Sequence, residues 1–144
     1  MRKVPIEMRH TRQRRAILQF LRGTRTHPTA EQTHAELRKE LPTLSLGTVY
    51  RNLGKLVEEG LVRELRPGVR GAGSRYDAAL EAHHHFFCTR CGKVEDVYPG
   101  LPSTVKEAMI RSIDRDVSEF RLQFFGICED CAHRANERRE VNER

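Results

Sequence analysis

The 144-residue sequence lacks long apolar runs, and this absence excludes whole classes of protein. No stretch reaches the roughly 20 apolar residues that a membrane-spanning helix needs. Residues 1–5 also lack the apolar core of a signal peptide. We therefore expect a cytoplasmic protein with no membrane partner. A chain of this length forms one or two small domains, each small enough for a bound metal to add useful stability.

Cysteine is scarce, and all of it falls in two Cys-x2-Cys pairs: Cys88 with Cys91, and Cys128 with Cys131. Two such pairs complete a closed tetrahedral shell of four sulfurs, which suits structural Zn(II) and leaves no position for a substrate. Two disulfides in a secreted protein are the alternative, and the missing export signal disfavours them. We expect one structural zinc ion per subunit.

Three consecutive histidines stand two residues before the first cysteine pair. In a strand, His83 and His85 project to one face and His84 to the other. Asp77 precedes them and Asp96 follows. Imidazole and carboxylate ligands together suit Fe(II) or Mn(II), so the pattern predicts a second metal site that could act as a sensor. A nonspecific cation-binding tract is the alternative interpretation.

Charge is distributed unevenly along the chain. Residues 1–80 contain 16 Lys and Arg against 8 Asp and Glu, whereas residues 81–144 contain 10 against 12. A basic half is a candidate for binding a polyanion such as nucleic acid, although a solvated basic surface is the commoner meaning of charge alone.

Helical spacing predicts two helices at the start of the basic half. The first extends over 11–22, with Thr11 as its N-cap and Gly23 as its stop. The second follows a capping box at Thr29 and continues until Pro42 ends it. His27 lies in the loop between these helices.

A third helix and a hairpin complete the basic half. The helix begins after Ser45 and ends at Gly60, and its inner stripe consists of Val49, Leu53, Leu56 and Val57. Residues 61–65 alternate like a strand, 66–73 form a basic flexible turn, and 74–77 return. Three helices followed by a basic hairpin predict a winged helix. Winged helices also serve as protein-interaction modules, but the basic third helix and basic wing favour DNA.

The outer face of the third helix carries residue types that a major-groove helix uses. Arginine can bind guanine edges, whereas tyrosine, threonine and lysine hold phosphates. The alternative is an ordinary amphipathic helix with solvated polar residues. With one arginine from the first helix and one from the wing, the predicted DNA-binding residues are Arg14, Thr48, Tyr50, Arg51, Lys55 and Arg70.

We place the DNA-binding domain at 1–79, a hinge at 80–82 and a second domain at 83–144. The second domain is predicted to contain strands at its histidines, over 93–98 and over 120–125, a helix over 102–113, and a charged helical tail over 132–144. This small α/β unit, in an α+β protein overall, is too small to be stable alone, so we expect it to be the dimerisation domain of a homodimer. Two winged helices would then bind a palindromic double-stranded DNA operator.

The chain closely resembles the ferric uptake regulator family of metal-dependent repressors over nearly its whole length. The matching stretches are His27-Pro28-Thr29-Ala30, Thr48-Val49-Tyr50-Arg51-Asn52-Leu53, Arg75-Tyr76-Asp77, His83-x-His85-x2-Cys88-x2-Cys91-Gly92-Lys93-Val94, and Gly126-x-Cys128-x2-Cys131. The resemblance implies that the four cysteines bind structural zinc. It also implies one regulatory Fe(II) or Mn(II) ion per subunit, held by His27, Asp77, His83, His85 and Asp96.

The acidic ligands resemble those of one branch of the family. Iron-uptake regulators usually have glutamate at the positions of Asp77 and Asp96, whereas peroxide-sensing repressors have aspartate at both. By that resemblance, iron-catalysed oxidation of His27 or His83 by hydrogen peroxide would release DNA. An iron-responsive regulator without peroxide sensing is the alternative. Zinc sensing ranks below both, because the relatives that sense zinc often add a cysteine and this chain has none to spare.

Hypotheses from other classes explain less of the sequence. A small zinc metallohydrolase could use His83, His85 and an aspartate, but neither Glu81 nor Glu95 lies in a motif that identifies a general base. A zinc-ribbon interaction protein leaves the winged helix unexplained. Oxidation of the zinc cysteines is a rival redox switch, although metal-bound thiolates usually react slowly. We expect no enzyme activity and no small-molecule substrate other than peroxide as the signal.

Overall fold

The computed structural model describes residues 6–79 and 81–143, with the backbone alone for residues 6–10. Its N-terminal part contains helices α1 (Ile6–Arg22), α2 (Ala30–Leu37) and α3 (Leu46–Glu58), followed by strands β1 (Arg63–Leu65) and β2 (Arg75–Asp77). The two strands pair antiparallel and form the wing. None of the helices in the described ranges has the length and apolar character needed to cross a membrane.

The three helices enclose one apolar core, to which α3 contributes the inner stripe predicted from the sequence. Val49 and Leu53 are fully buried and pack with Ile17 and Leu21 of α1. Burying each such side chain contributes on the order of 2 kcal/mol, so the apolar face of α3 holds the helix against the domain. Its opposite face is thereby directed to solvent.

Two predicted helix boundaries are wrong. Helix α1 begins at Ile6, so Thr11 is not its N-cap; Glu7, Met8 and Arg9 have good helix propensity and extend it toward the N-terminus. Helix α2 keeps the predicted capping box at Thr29 but ends at Leu37 rather than at Pro42. Residues 38–40 are charged and exposed, so they offer no apolar face that would hold a further helical turn against the core.

The second domain is built on a three-stranded sheet in the order β4-β3-β5. Strand β3 (His84–Cys88) pairs antiparallel with β4 (Val94–Val97) and parallel with β5 (Gln123–Gly126). Helix α4 (Ser103–Arg111) connects β4 to β5, and helix α5 (Glu129–Asn142) follows β5. This confirms an α+β protein with a winged helix and a small α/β domain.

Several details of the second domain differ from the prediction: α4 is shorter than the predicted 102–113, and β5 begins at Gln123 rather than at residue 120. His83 lies one residue before β3, yet His83 and His85 are both buried and His84 is not, as strand alternation predicted. Helix α5 begins at Glu129 rather than at residue 132, because Cys128 is its N-cap and Cys131 lies in its first turn. Leu80 of the predicted hinge lies outside the described residues, so the domain limits stay a prediction.

The wing and the second domain share a small apolar cluster. Leu65 of β1 is buried against Phe87 of β3 and Val94 of β4. The wing is therefore packed onto the second domain, and any change in the orientation of the two domains must break this contact.

Candidate metal centres and nucleic-acid interface

The four cysteines converge at one point between β3 and the start of α5. The Cys88 and Cys131 sulfurs are 3.9 Å apart, and the Cys91 and Cys128 sulfurs are 3.8 Å apart. A tetrahedron with Zn–S bonds of about 2.3 Å has S–S edges of about 3.8 Å, so the sulfurs have the spacing that Zn(II) requires. The described residues thus contain the predicted four-cysteine zinc site.

The surrounding backbone favours negative charge on the Cys88 sulfur. Burial alone would raise the pKa of Cys88, but backbone N–H groups, including those of Cys128 and Cys91, outweigh it and lower the pKa to about 6. Burial and the neighbouring sulfurs, that of Cys128 foremost, raise the pKa of Cys131 to about 12. Four adjacent thiols cannot all ionise unless a cation balances them, and Zn(II) supplies that charge.

A second cluster lies between the two domains and contains all five predicted regulatory ligands. His27 comes from the loop before α2 and Asp77 from the end of β2, whereas His83 and His85 flank the start of β3. Asp96 lies on β4, directly opposite His85 in the sheet register. Four of the five side chains are at most 5% exposed. The fold brings together residues that are up to 69 positions apart in the sequence.

The potential ligand atoms are spaced like the corners of a coordination shell. His83 Nε2 lies 2.7 Å from Asp77 Oδ2, 3.0 Å from His85 Nε2 and 3.1 Å from Asp96 Oδ1. His27 Nε2 lies 2.7 Å from Asp96 Oδ1. Ligands at right angles, each about 2.1 Å from one ion, are separated by about 3.0 Å. The arrangement therefore fits a single divalent cation.

The tautomer of His83 also indicates that a cation belongs at the centre of the cluster. Its Nδ1 lies 2.6 Å from the Glu81 carbonyl oxygen, which can only accept, so Nδ1 carries a proton. In the neutral ring Nε2 then has no proton and presents a lone pair. This atom faces the Asp77 carboxylate, which is also an acceptor. Two acceptors at this distance repel unless a proton or a metal cation lies between them.

Neighbouring groups shift the pKa values of Asp77 and His83 in the cluster. Burial would raise the pKa of Asp77, but contacts with His85, the Ala79 N–H and His27 hold it well below its usual range. Burial would lower the pKa of His83, but the Glu81 carbonyl and the Asp77 carboxylate raise it. The cluster thus keeps its carboxylate ionised and favours positive charge at its centre.

An open cavity of about 340 Å³ adjoins this cluster. Its walls include His27, Asp77, His83 and Asp96, and not His85. The exposed residues Arg22 and Arg25 line the same cavity. Small molecules can therefore approach the cluster from one side.

The predicted DNA-binding residues have different environments. Arg51, Lys55 and Arg70 are exposed, and Tyr50 is 46% exposed on the outer face of α3. Thr48 was predicted to lie on that face too, but it is buried, and its hydroxyl hydrogen-bonds with Ser45 at the helix N-terminus.

Arg14 ties α1 to α3 instead of extending freely into solvent. Its Nε donates to the Asn52 side-chain oxygen at 3.2 Å, and Nη1 lies 3.7 Å from Glu59. The amide of buried Asn52 in turn donates to the Thr48 carbonyl. The roles of all six residues toward DNA stay predictions.

Sequence reasoning missed two residues that organise the sites. The Arg75 guanidinium donates to the carbonyls of His27 and Gly92, a contact that only the tertiary structure could reveal. His84 accepts the Leu122 N–H at 2.9 Å and stacks on Phe120, so it fastens β3 to the start of β5. The histidine tract could have suggested that its outward-facing member has a structural role.

Comparison with known proteins places these sites in a family. The family model described as "Ferric uptake regulator family" matches residues 6–125. The chain is 39% identical over 130 residues to the peroxide operon regulator of Bacillus subtilis (strain 168), covering 90% of this chain and 88% of that protein. It is 38% identical over 125 residues to the peroxide-responsive repressor PerR of Staphylococcus saprophyticus, covering 86% and 82%.

A solved structure agrees with both sequence matches. The crystal structure of the Campylobacter jejuni peroxide stress regulator superposes with a TM-score of 0.73 at 33% identity, covering 87% of this chain and 93% of that one. The family model covers the winged helix, the regulatory cluster and the first cysteine pair. The chain therefore belongs to the ferric uptake regulator family.

Proposed function

We propose that this protein is a metal-dependent DNA-binding repressor that releases DNA when hydrogen peroxide oxidises a ligand histidine. The observation that carries the proposal is a cluster from both domains: the ligand atoms of His27, Asp77, His85 and Asp96 all lie within 4.8 Å of one another, and His83 Nε2 lies 2.7 Å from Asp77 Oδ2. The similarity to named peroxide regulators supports it. The matching family is one of regulators, and this favours a DNA-binding regulator over a metallohydrolase.

The ligands are divided in a way that makes a metal ion a clamp between the domains. His27 and Asp77 belong to the winged helix, whereas His83, His85 and Asp96 belong to the second domain. The five-ligand set is complete only when the domains adopt this relative orientation. An ion that binds this form tenfold more tightly than the open form shifts the equilibrium by about 1.4 kcal/mol. Metal binding would thereby hold the two DNA-binding surfaces of a dimer at the spacing of the operator.

Peroxide sensitivity would reside in the two histidines that border the cavity. Bound Fe(II) supplies the redox chemistry that activates hydrogen peroxide, which Mn(II) does poorly. In the net change, a ring C–H of His27 or His83 becomes C–O and one water is released, which balances the two oxygens of peroxide. The altered ring ligates more weakly, so the clamp opens. His85 does not border the cavity and would be spared.

The DNA-binding surface would be formed by α3 and the wing. The exposed Tyr50, Arg51 and Lys55 face the major groove in this proposal, and Arg70 approaches the backbone from the wing. Contacts with Lys and Arg release counterions, so binding would weaken as salt increases.

Dimerisation would use the apolar surface of the second domain. Helix α4 has no buried residue and exposes Val105, Met109 and, just beyond its end, Ile113. Phe124 is 40% exposed and Phe125 58% exposed on β5, an edge strand of the sheet. A second copy that covers this surface pairs two winged helices, which suits a palindromic operator.

The decisive experiment loads the zinc form with Fe(II) or Mn(II) under anaerobic conditions and adds a few equivalents of hydrogen peroxide. Binding to duplex DNA and the masses of tryptic peptides are followed together. We expect one added oxygen on His27 or His83, and loss of DNA binding, in the Fe(II) form only. His133, whose side chain is 69% exposed and does not belong to the cluster, serves as an internal control that stays unmodified.

Two other outcomes would change the conclusion. Fe(II)-loaded protein that keeps its DNA and its unmodified histidines would indicate an iron-responsive regulator. Equal oxidation of His133 would show that peroxide damages histidines generally and not through the bound ion.

A further inference from the structure

The Arg75 side chain connects the two metal centres. Its Nε donates to the Gly92 carbonyl at 3.0 Å, and its Nη1 donates to the His27 carbonyl at 3.1 Å. Gly92 directly follows Cys91 of the zinc site, and His27 is a regulatory ligand. Arginine presents several N–H donors in a rigid planar fork, so one side chain can hold two carbonyls at a fixed separation.

At the regulatory end, Arg75 stabilises an unusual backbone conformation. His27 has a φ of +49°, in the left-handed region that residues with a side chain rarely adopt. The neighbouring contacts hold the same loop: the Tyr76 N–H donates to the Pro28 carbonyl at 3.1 Å, and Thr29 forms an antiparallel bridge with Arg75. This loop directs the His27 imidazole toward Asp96. Loss of the Arg75 contact would allow the loop to relax and withdraw the ligand.

At the zinc end, the position of the Gly92 carbonyl depends on the closed cysteine turn. The Gly92 N–H donates to the Cys88 carbonyl at 3.0 Å, and the Cys91 N–H points at the Cys88 sulfur. A Cβ on Gly92 would lie 2.7 Å from the Ala72 Cβ, which shows how closely the wing turn packs on this segment. When zinc holds Cys88 and Cys91 together, the carbonyl that Arg75 binds is fixed as well.

We propose that Arg75 is a positioning residue that couples the zinc site to the regulatory site, so that occupancy of either site strengthens binding at the other. The inference rests on the proposed function, because it takes the regulatory cluster to bind a divalent ion. Coupling between two sites is reciprocal, and its usual size is a 5- to 150-fold change in affinity, roughly. The zinc ion then contributes to DNA control through Arg75 without being the sensor.

The test measures how fast the zinc-site cysteines react with a thiol reagent when the regulatory site is filled or empty. Zinc-loaded dimer is exposed anaerobically to a thiol-specific disulfide reagent, dithionitrobenzoate, with and without saturating Mn(II). In the wild-type protein we expect Mn(II) to slow the reaction of the four cysteines about tenfold, which corresponds to about 1.4 kcal/mol. In Arg75→Gln the slowing should fall below about twofold, and the affinity for Mn(II), measured by competition with a chelating dye, should fall about tenfold.

Two further variants distinguish loss of the two Arg75 hydrogen bonds from loss of its charge and from unfolding of the protein. Arg75→Lys keeps the charge but cannot hold both carbonyls, so it should behave like Arg75→Gln; as the milder change, it carries the test if the Gln variant fails to fold. Arg134→Gln removes an equal charge from an exposed position on α5 and should keep the wild-type response.

The outcomes distinguish this inference from the proposed function. If Arg75→Lys and Arg75→Gln keep the full Mn(II) effect on the cysteines, Arg75 does not couple the sites. If the wild-type protein fails to bind Mn(II) at all, the proposed function itself is wrong.

Discussion

The contact between the wing and the zinc-site turn can be tested at Gly92. Substitution Gly92→Ala imposes two penalties. The backbone φ is +76°, a left-handed conformation that costs an L-residue roughly 1–2 kcal/mol. The added Cβ also lies 2.7 Å from the Ala72 Cβ, and relieving such an overlap in a packed region costs about 1–3 kcal/mol. The two penalties together predict about 2–5 kcal/mol of destabilisation.

A glycine of the wing turn supplies the matched control. Gly71 has a φ of +81°, but nothing lies within 4 Å of a Cβ placed there. Gly71→Ala should therefore carry only the backbone penalty of roughly 1–2 kcal/mol. The difference between the two variants isolates the packing of the wing on the zinc-site turn.

The assay is denaturant unfolding of the zinc-loaded protein, followed by titration with Mn(II). We expect Gly92→Ala to unfold with a free energy about 1–3 kcal/mol below that of Gly71→Ala, and to bind Mn(II) more weakly, because the wing carries Asp77. Equal stability and equal Mn(II) affinity in the two variants would refute the reasoning, because the wing would then not rest on Gly92.

Three further predictions concern the surfaces. Lys55→Gln should weaken binding about equally for all DNA sequences and reduce the slope of log affinity against log salt by about 1; an unchanged slope would remove Lys55 from the interface. The Tyr50 hydroxyl donates a hydrogen bond to Glu31, and this contact raises the pKa of Tyr50, so the phenol stays neutral to a higher pH than a free tyrosine. Glu31→Gln should lower that pKa toward its ordinary value in a phenolate absorbance titration, and no change would show that the bond does not form in solution. Met109→Glu should place charge in the apolar surface of α4 and shift the sedimentation of the dimer toward the monomer; an unaltered dimer would locate the interface elsewhere.

The sequence predicted the zinc site because its information is local. Two Cys-x2-Cys pairs that use every cysteine leave few chemical alternatives, and the sulfurs lie at the expected separations. The inner stripe of α3 was predictable for the same reason, because helical periodicity is a property of consecutive residues. Helix ends were less predictable: Thr11 matched the pattern of an N-cap, but the residues before it are also good helix formers.

The regulatory cluster was predictable only in part. Strand alternation placed His83 and His85 on one side, the sequence around them indicated Asp77 and Asp96, and the family resemblance supplied His27. Periodicity alone does not bring His27 and Asp96 to 2.7 Å across 69 positions of sequence. Thr48 shows the converse, since a residue predicted on the solvent face is buried and its hydroxyl is engaged with Ser45.

The sequence by itself determined the elements and their chemistry: three helices and a wing, four zinc thiolates, and a set of imidazoles and carboxylates suited to a harder cation. These follow from residue type and from spacing over a few positions. Only the tertiary structure decided how the parts are connected. Arg75 meets His27 and Gly92 because the wing packs on the second domain, and the cavity reaches His27 and His83 without His85. Such relations depend on the packing of segments far apart in the chain, which no local pattern records.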